Sequence, residues 1–383
     1  MATEEKPLLE DVESLRRRDP GGMLGAIAAF PDQMAAAWRR SRELDLPERH
    51  RSATSAVVLG MGGSAVAGDL VRAIFSDRLR VPLLSVRDYD LPAWVGPDTL
   101  VIASSHSGAT EETITALSTA LERRCPVAAI TTGGPIGEVA KQVDLPRILY
   151  PNEAPPRASL GYGLMSLAGL LERAGVLELS DAEVEEAIAG SRSVATSCAA
   201  DVPAATNLAK QLAWSVLDRL PVIEGSGFMA AVARRWKTQI NENANSAAAA
   251  EELPEATHNT VVGYEQPETL RDSQYVVFLA SAADAPRNRE RARLSSELLN
   301  ISGIDHQRVT LDGSSSLAQA CAALSLGDYV SFYLALLYGV DPSVTDSLTL
   351  IKTSMSQFDP LAEDDQPVLP APDSGTDGGG RLM

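Results

Sequence analysis

The feature that most constrains the fold is an abrupt change from an apolar run to a glycine-rich turn and then to a helix-forming run. The stretch "SAVVLGMGGSAVAGDLVRAIF" at 55–75 contains all three parts. A short apolar run bounded by glycines is typical of a buried strand, and the run after the glycines has helical spacing. The stretch therefore predicts a strand, a turn and a helix in succession, which is the unit of an α/β fold.

The same alternation continues through both halves of the chain and predicts a mostly parallel sheet in each. In the first half, strands are predicted at 55–60, 81–86, 99–105, 126–132 and 146–150, and helices at 64–76, 110–123 and 135–142. In the second half, strands are predicted at 220–225, 258–264, 274–281 and 306–312, and helices at 228–244, 286–300 and 315–339. A helical run at 160–215 links the two series.

The two halves repeat one plan, which indicates internal duplication. "PVIEGSGFMAAVARRWKTQI" places Gly225 and Gly227 where the first half has Gly60 and Gly62. Since 383 residues are long for one domain, we expect two related three-layer α/β/α subdomains. The predicted divisions are an N-terminal helical segment, a first domain, a second domain and a disordered tail rich in Pro, Gly and Asp, at 1–50, 51–185, 186–358 and 359–383.

Charge and cysteine content exclude several classes of protein. The net charge of −18 opposes binding to nucleic acid, but it is compatible with a small anion held by backbone N–H groups. Cys125, Cys198 and Cys321 are widely spaced, which predicts reduced thiols that fill the core. The charged N-terminus lacks a secretory signal and no apolar run is expected to span a membrane, so a cytoplasmic protein without a membrane partner is predicted.

The glycine turn allows two interpretations when it is taken alone. Gly60, Gly62 and Ala65 satisfy the pattern G-x-G-x-x-A, and Asp88 follows the second predicted strand at the distance of a ribose-binding carboxylate. A nicotinamide-dependent dehydrogenase is therefore one candidate. A tight turn that binds no ligand is the other, because this fingerprint is weak by itself.

A second loop, "SSHSGATEET" at 104–113, favours a phosphate ligand. It follows a predicted strand and enters a predicted helix, so Ser105, Ser107 and Thr110 lie where unpaired N–H groups and the helix dipole attract an anion. Gly108 allows the backbone to approach closely. The alternative is that Ser107 or Thr110 only caps the helix, but capping accounts for one hydroxyl and not for three.

These motifs resemble those of one family of sugar isomerase (SIS) domains, the bifunctional phosphoglucose/phosphomannose isomerases. The likeness covers residues 20–355 and includes further stretches in the same order, namely "MLGAIAAFPDQMAAAW", "PPRASLGYGL", "WKTQINENA", "ELPEATHNTVVGYE" and "LLYGVDPSVTDSLTLIK". The resemblance implies an isomerase of carbohydrate metabolism, in glycolysis and gluconeogenesis. It interconverts glucose 6-phosphate or mannose 6-phosphate with fructose 6-phosphate through an enediol.

The resemblance also implies four catalytic residues. Glu242 would move the proton between neighbouring carbons, and His258 would open the sugar ring by proton transfer at the ring oxygen. Arg157 would stabilise the enediolate, and Lys352 matches a late active-site lysine. Each has a simpler interpretation: a solvated Glu or Lys on a helix, a structural His, and an Arg whose ion pair holds the turn against the linker helix.

The resemblance further implies a phosphate site without cofactor or metal. Ser64 is expected to join the site or to cap its helix, and the four histidines lack the spacing of a metal cluster. A homodimer with the site near its interface is implied, to which His258 would come from either chain. The predicted phosphate-binding residues are Gly62, Gly63, Ser64, Ser105, Ser107 and Thr110.

Two departures from the family pattern bear on function. His106 stands where these loops often have tyrosine, and "NANSAAAAEELPE" after Glu242 replaces lysine and larger apolar residues. The second departure keeps an alternative open, a regulatory protein that binds sugar phosphates without catalysis. A dehydrogenase would instead bind a nicotinamide cofactor and would not need the hydroxyls of 104–113.

Overall fold

The computed structural model describes residues 8–358, and the predicted tail at 359–383 lies outside that range. Residues 8–343 form one compact unit, and residues 344–358 belong to a second. The second unit contains α15 (Asp346–Gln357). The remaining elements, α1 to α14 and β1 to β9, belong to the first unit.

The N-terminal segment is helical, as predicted. Buried side chains of its longest helix, including Phe30 and Met34, join the main core. Asp11 caps the first helix, and the Asp19 carboxylate accepts the N–H groups of Met23 and Leu24 at the second. The helices of this segment are α1 (Val12–Arg17), α2 (Met23–Ala28), α3 (Phe30–Arg42) and α4 (Glu48–Arg51).

The first sheet is parallel, with the strand order β2-β1-β3-β4-β5. Alternate side chains of a strand point to opposite faces, so Val58 packs in one apolar cluster and Val57 in another. Helices cover both faces, which confirms the α/β/α layering. The elements are β1 (Ser55–Leu59), α5 (Gly62–Ile74), β2 (Leu83–Val86), β3 (Thr99–Ser105), α6 (Glu111–Glu122), β4 (Val127–Thr131), α7 (Gly134–Gln142) and β5 (Arg147–Leu149).

The predicted helical run at 160–215 forms α8 (Leu160–Arg173), α9 (Asp181–Ser197) and α10 (Leu208–Val216). At the start of α9, Ser180 and Glu183 form a reciprocal capping box. Because α9 is continuous through residue 185, the predicted division between 185 and 186 falls inside a helix.

The second sheet is also parallel, and its order β7-β6-β8-β9 repeats the order β2-β1-β3-β4 of the first. The shared order is what a duplicated fold requires. The elements are β6 (Leu220–Ser226), α11 (Phe228–Ala244), β7 (Ala249–Leu253), α12 (Leu270–Ser273), β8 (Gln274–Ala280), α13 (Pro286–Ser302), β9 (His306–Thr310) and α14 (Ser316–Tyr338).

The strand predicted at 258–264 is wrong. This stretch forms 3₁₀ turns, Glu255–His258 and Thr260–Glu265, and β7 occupies the place beside β6. The preference of "NTVVGY" for strands reflects how its side chains fit a half-buried surface. Here the Tyr264 side chain packs on the sheet with Val222 and Phe278, but its backbone does not pair with a strand.

The expectation that no apolar run could span a membrane is also wrong. In the described part of the chain, α14 has the length and composition of a spanning helix, with a mean hydropathy of 1.5 over its most apolar window. Isolated Ser, Gly and Asp residues interrupt its apolar run, but the mean hydropathy stays within the range of membrane-spanning helices. However, 94% of this window is buried inside the protein, and core helices pass the same test.

Candidate functional site

The glycine turn brings the start of α5 into contact with the end of β3. A Cβ atom on Gly60 would lie 2.8 Å from the Ser104 carbonyl oxygen, so a larger residue cannot occupy this position without a shift. Gly62 has φ of +50°, a conformation that favours glycine. Ser64 is the third residue of α5, and within residues 8–358 no side chain caps this helix. The capping alternative for Ser64 is therefore wrong.

The hydroxyl loop leaves the start of α6 without a side-chain cap in the described chain. Thr110 occupies the N-cap position, but its hydroxyl lies 2.8 Å from the Ser105 hydroxyl instead of bonding to the helix. Ser105 also accepts the Gly108 N–H at 3.1 Å, and Ser107 accepts the Ala109 N–H at 3.2 Å. The first-turn N–H groups of α6 thus remain open to an anion.

A neighbouring loop after β4 fixes the shape of the hydroxyl loop. Gly108 has φ of +65°, and a Cβ atom there would overlap the Gly133 carbonyl oxygen. The Ile136 N–H donates to the Gly108 carbonyl at 2.9 Å, and the Thr132 hydroxyl donates to the His106 carbonyl at 2.7 Å. The glycine at position 108 is therefore required for both its conformation and its close approach.

His106 supports this loop from inside the protein. Its Nε2 lies 2.9 Å from Asn152 Oδ1 and its Nδ1 lies 3.4 Å from the Tyr150 hydroxyl. Because Asn152 Oδ1 only accepts, Nε2 carries the proton and Nδ1 accepts from Tyr150. Burial lowers the pKa of His106, although the Asn152 hydrogen bond opposes this shift. His106 is thus a neutral, buried support of the hydroxyl loop.

The two loops meet where the chain reverses its direction of winding. β1 lies between β2 and β3, so the helices that follow β1 and β3 begin side by side at the carboxyl edge of the sheet. Ligands of open α/β sheets bind in such a crevice. We call this edge the anion cradle; it brings together Gly62, Gly63, Ser64, Ser105, Ser107 and Thr110.

Arg157 lies next to the anion cradle. A Cβ atom on Gly63 would lie 3.4 Å from the carbonyl oxygen of Pro156, the residue before Arg157. The buried Arg157 side chain donates from Nε to Asn243 Oδ1 at 2.8 Å and from Nη2 to the Pro342 carbonyl at 2.6 Å. Among residues 8–358 no carboxylate lies within 4.0 Å of its guanidinium, so the ion-pair alternative is wrong.

Glu242 lies in the last turn of α11 and is partly buried. Burial lowers the pKa of Arg157, and the negative charge of Glu242 opposes that shift, so the two groups interact electrostatically. In the described chain the Glu242 carboxylate forms no hydrogen bond or ion pair of its own. The result is an unengaged carboxylate near a buried guanidinium, which suits a group that must accept and return a proton.

The other two predicted catalytic residues are exposed. His258 ends the 3₁₀ turn Glu255–His258 and, within the described range, its imidazole forms no hydrogen bond or ion pair. Lys352 lies on α15, in the second compact unit. The structure of one chain therefore joins the anion cradle with Arg157 and Glu242, and the roles of His258 and Lys352 stay predictions.

A buried polar cluster next to Arg157 was not predicted from the sequence. Residues 235, 239 and 243 are polar at helical spacing along a buried face of α11. The first two contact Asp328 on α14, and the third contacts Ser331 on the same helix. Burial raises the pKa of Asp328 to about 6, although Arg235 and Gln239 oppose the shift. Asp328 is the single charged residue in the sequence of α14, and a lone charge in an apolar helix would have been the signal.

Comparisons with known proteins agree with this geometry. Residues 205–355 match the family described as the bacterial phospho-glucose isomerase C-terminal SIS domain. The chain is 35% identical over 339 residues to a bifunctional phosphoglucose/phosphomannose isomerase of Caldicellulosiruptor bescii, covering 88% of this chain and 99% of that protein. It is 32% identical to a protein of the same name from Thermoplasma volcanium, covering 78% of this chain and 91% of that protein.

A solved structure supports the fold. The structure of tagatose-6-phosphate ketose/aldose isomerase from Escherichia coli superposes with a TM-score of 0.62 at 18% identity, covering 87% of this chain and 94% of that one. This likeness concerns the fold alone. The sequence relatives show that the chain, with its SIS-type α/β architecture, is an isomerase that belongs to the bifunctional phosphoglucose/phosphomannose isomerase family.

Proposed function

We propose that the protein interconverts glucose 6-phosphate and mannose 6-phosphate with fructose 6-phosphate. The two aldoses differ only at the carbon that loses its proton, so one site can process both through a common enediol. The observation that carries the proposal is the position of Arg157: the preceding residue, Pro156, adjoins the anion cradle at Gly63, and the Arg157 guanidinium interacts electrostatically with the Glu242 carboxylate. A phosphate-binding edge and a proton-transfer group thereby share one site.

The anion cradle would bind the 6-phosphate. The uncapped first turns of α5 and α6 offer backbone N–H groups, and Ser64, Ser105, Ser107 and Thr110 add hydroxyl donors. Such a site tolerates the acidic net charge of the chain because its positive potential comes from local dipoles. Holding the phosphate at this edge fixes the distance of the reacting carbons from Glu242.

Glu242 would act as the base. It removes the proton from the carbon next to the carbonyl and returns it to the neighbouring carbon, so that the same carboxylate serves both halves of the reaction. During this transfer, negative charge develops on the substrate oxygens, and the guanidinium of Arg157 stabilises it. Burial strengthens that interaction, because Arg157 is largely shielded from water.

His258 would open the sugar ring in a homodimer whose interface lies near the site. Its exposed position without partners in the described chain supports a role that is completed by a neighbouring subunit, and we propose that the partner's His258 enters the site. Lys352 is proposed as the fourth catalytic group. Proton transfer by a carboxylate and an imidazole needs no metal or cofactor. A metal-independent enzyme of cytoplasmic sugar metabolism, active in glycolysis and gluconeogenesis and without nucleic-acid or membrane partners, is therefore proposed.

A coupled assay on both aldose phosphates with a chelator present tests this function. Glu242→Gln keeps the shape of the side chain but removes the base, and we expect kcat to fall about 10²- to 10⁴-fold. Glu268→Gln, at an exposed glutamate of the same domain, is the matched control and should retain full activity. If the native protein binds a sugar phosphate but turns over neither substrate, it is a regulatory binder instead. If Glu242→Gln is as active as the native protein, the role of Glu242 is wrong.

A further inference from the structure

A polar ladder crosses the apolar contact between α11 and α14. Its members on α11 are spaced by four residues, so they share one face of the helix. The polar ladder consists of five residues, each at most 4% exposed: Arg235, Gln239, Asn243, Asp328 and Ser331.

The lower end of the ladder holds the backbone of Arg157. Arg235 Nη2 donates a hydrogen bond to the Arg157 carbonyl oxygen, and Gln239 Nε2 lies 3.5 Å from the same oxygen. Asp328 organises these donors, because its Oδ1 lies 2.5 Å from Gln239 Nε2 and 3.8 Å from Arg235 Nη2. The turn that carries Arg157 is thus fixed against α11.

The upper end of the ladder holds the side chain of Arg157. Asn243 Oδ1 accepts from Arg157 Nε at 2.8 Å, and Asn243 Nδ2 donates to the Ser331 hydroxyl at 3.0 Å. The Ser331 hydroxyl in turn donates to the Asp328 carbonyl at 2.8 Å. Ser331 therefore determines which end of the Asn243 amide faces Arg157, since an acceptor must lie there.

The chemistry of the ladder is unusual for a purely structural contact. Replacing buried ionic groups by apolar residues of similar size is often neutral or stabilising, so stability alone does not call for these side chains. Together these side chains hold both the backbone and the guanidinium of Arg157 in a single conformation. Asn243 follows Glu242 in sequence, so the same helical turn carries the proposed base and the group that directs Arg157.

We propose that Asn243 is a positioning residue of the isomerase, which sets the direction of the Arg157 guanidinium beside Glu242. This inference rests on the proposed function, because it assigns Arg157 to the developing enediolate. Ser331 acts indirectly in the same role, because its hydroxyl orients the Asn243 amide.

The principal experiment is a double-mutant cycle on kcat with fructose 6-phosphate. Asn243→Ala should lower kcat about 10- to 100-fold, because a small misplacement of a catalytic group costs that much. KM should stay within about threefold, since the anion cradle on the first sheet still holds the phosphate. If Asn243 acts through Arg157, the double variant with Arg157→Ala should be no slower than Arg157→Ala alone.

Ser331→Ala gives a milder second variant that keeps the Asn243 acceptor but frees its orientation. A smaller loss of kcat, about three- to tenfold, is expected from it. Its matched control is Ser325→Ala, on the same helix, whose buried hydroxyl has no hydrogen-bond partner within the described residues. The control should leave kcat unchanged. Equal effects of Ser331→Ala and Ser325→Ala, or additive losses in the cycle with Arg157→Ala, would overturn the proposal.

A binding measurement separates this proposal from the function on which it rests. The probes are a five-carbon aldonate 5-phosphate, whose carboxylate imitates the enediolate, and sorbitol 6-phosphate, which has no carbonyl group. Asn243→Ala should weaken binding of the aldonate about tenfold and leave binding of sorbitol 6-phosphate within about threefold. Equal weakening of both ligands would contradict the role of Asn243. Absence of turnover in the native protein would contradict the proposed function, while this ratio still decides the role of Asn243.

Discussion

The two sheets share a strand order, but the loops at their carboxyl edges differ in their side chains and hydrogen bonds. At the first edge, the loop after β3 leaves the start of α6 uncapped among the described residues. At the second edge, the loop after β8 is closed by its own side chains: Asp284 accepts the Ser281 N–H at 3.0 Å, and the Ser281 hydroxyl donates to Gln319 at 2.6 Å. A carboxylate of the chain thus accepts an N–H group of this loop, although within the described residues no side chain caps the start of α13.

The beginning of the next helix strengthens this difference. α13 starts at Pro286, which has no N–H group to offer, whereas α6 starts with Glu111 and has its full set of N–H groups. The duplicated halves therefore share the same scaffold, and their loops differ in function. The first edge carries the proposed phosphate site, while the second sheet contributes α11, which carries Glu242 and Asn243.

The largest expected effect on the difference between the two edges comes from filling the space at Gly108 in the anion cradle. Gly108→Ala adds a Cβ atom at positive φ that overlaps the Gly133 carbonyl, so the loop must move. Backbone strain of about 1–2 kcal/mol adds to the clash, and KM for fructose 6-phosphate should rise at least about 100-fold. Steady-state kinetics and a thermal melt measure the two consequences.

Gly175→Ala is the control, because Gly175 has φ of +73° but no atom of the described residues within 4 Å of an added Cβ atom. It should show the strain alone, as a lower melting temperature with unchanged KM. An equal KM for Gly108→Ala and the native protein would remove this loop from the site.

The next effect tests the asymmetry of the two edges directly. Ser105→Ala removes a hydroxyl from the anion cradle, and hydrogen bonds to charged groups contribute about 1.5–3 kcal/mol, so KM should rise about 10- to 100-fold. Ser281→Ala removes a buried serine of the loop that follows β8 at the second edge, whose hydroxyl donates to Gln319. It should lower stability without changing KM. A larger KM effect from Ser281→Ala would reverse the assignment of the two edges.

The elements of the first edge could be predicted from the sequence for a physical reason. The strand, glycine turn and uncapped helix are encoded by neighbouring residues, so β3 was predicted with its observed bounds, Thr99–Ser105. The strand predicted at 258–264 failed because β7 pairs with β6 instead, and that choice depends on contacts with residues distant in sequence and not on the local preference for strands. The hydrogen bond between Asn243 and Ser331 joins residues 88 positions apart, and local patterns contain no information on such a pair.

A third prediction concerns a strand position at which the two sheets differ. Glu224 on β6 corresponds to Leu59 on β1, and both of its carboxylate oxygens are buried without a partner in the described structure. Burial, aided by the charge of Glu251, raises the pKa of Glu224 to about 7. The folded protein therefore binds this proton more tightly than the unfolded chain does. The free energy of unfolding should decrease as pH rises from about 4.5 to about 7.

Glu224→Leu, which copies the first sheet, should remove this pH dependence and increase the free energy of unfolding by about 1–2 kcal/mol at pH 8. Urea denaturation at several pH values measures it. Glu251→Gln is the control at the partly buried neighbour and should change the profile much less. A less stable Glu224→Leu variant at pH 8 would mean that Glu224 has a favourable partner in solution.

The smallest effect is expected from His106, the support of the hydroxyl loop. Because burial lowers its pKa, the unfolded chain takes up the proton first as pH falls. The stabilisation by the neutral ring is complete above about pH 6.5 and is lost below it. His106→Tyr removes this titration, so its unfolding free energy should fall less than that of the native protein between pH 6.5 and pH 5, by about 0.5 kcal/mol. His50 is buried in both proteins and its contribution cancels in the comparison. Parallel pH profiles for the two proteins would show that the buried ring does not resist protonation, and that the loop of the first edge is more open to water than its hydrogen bonds indicate.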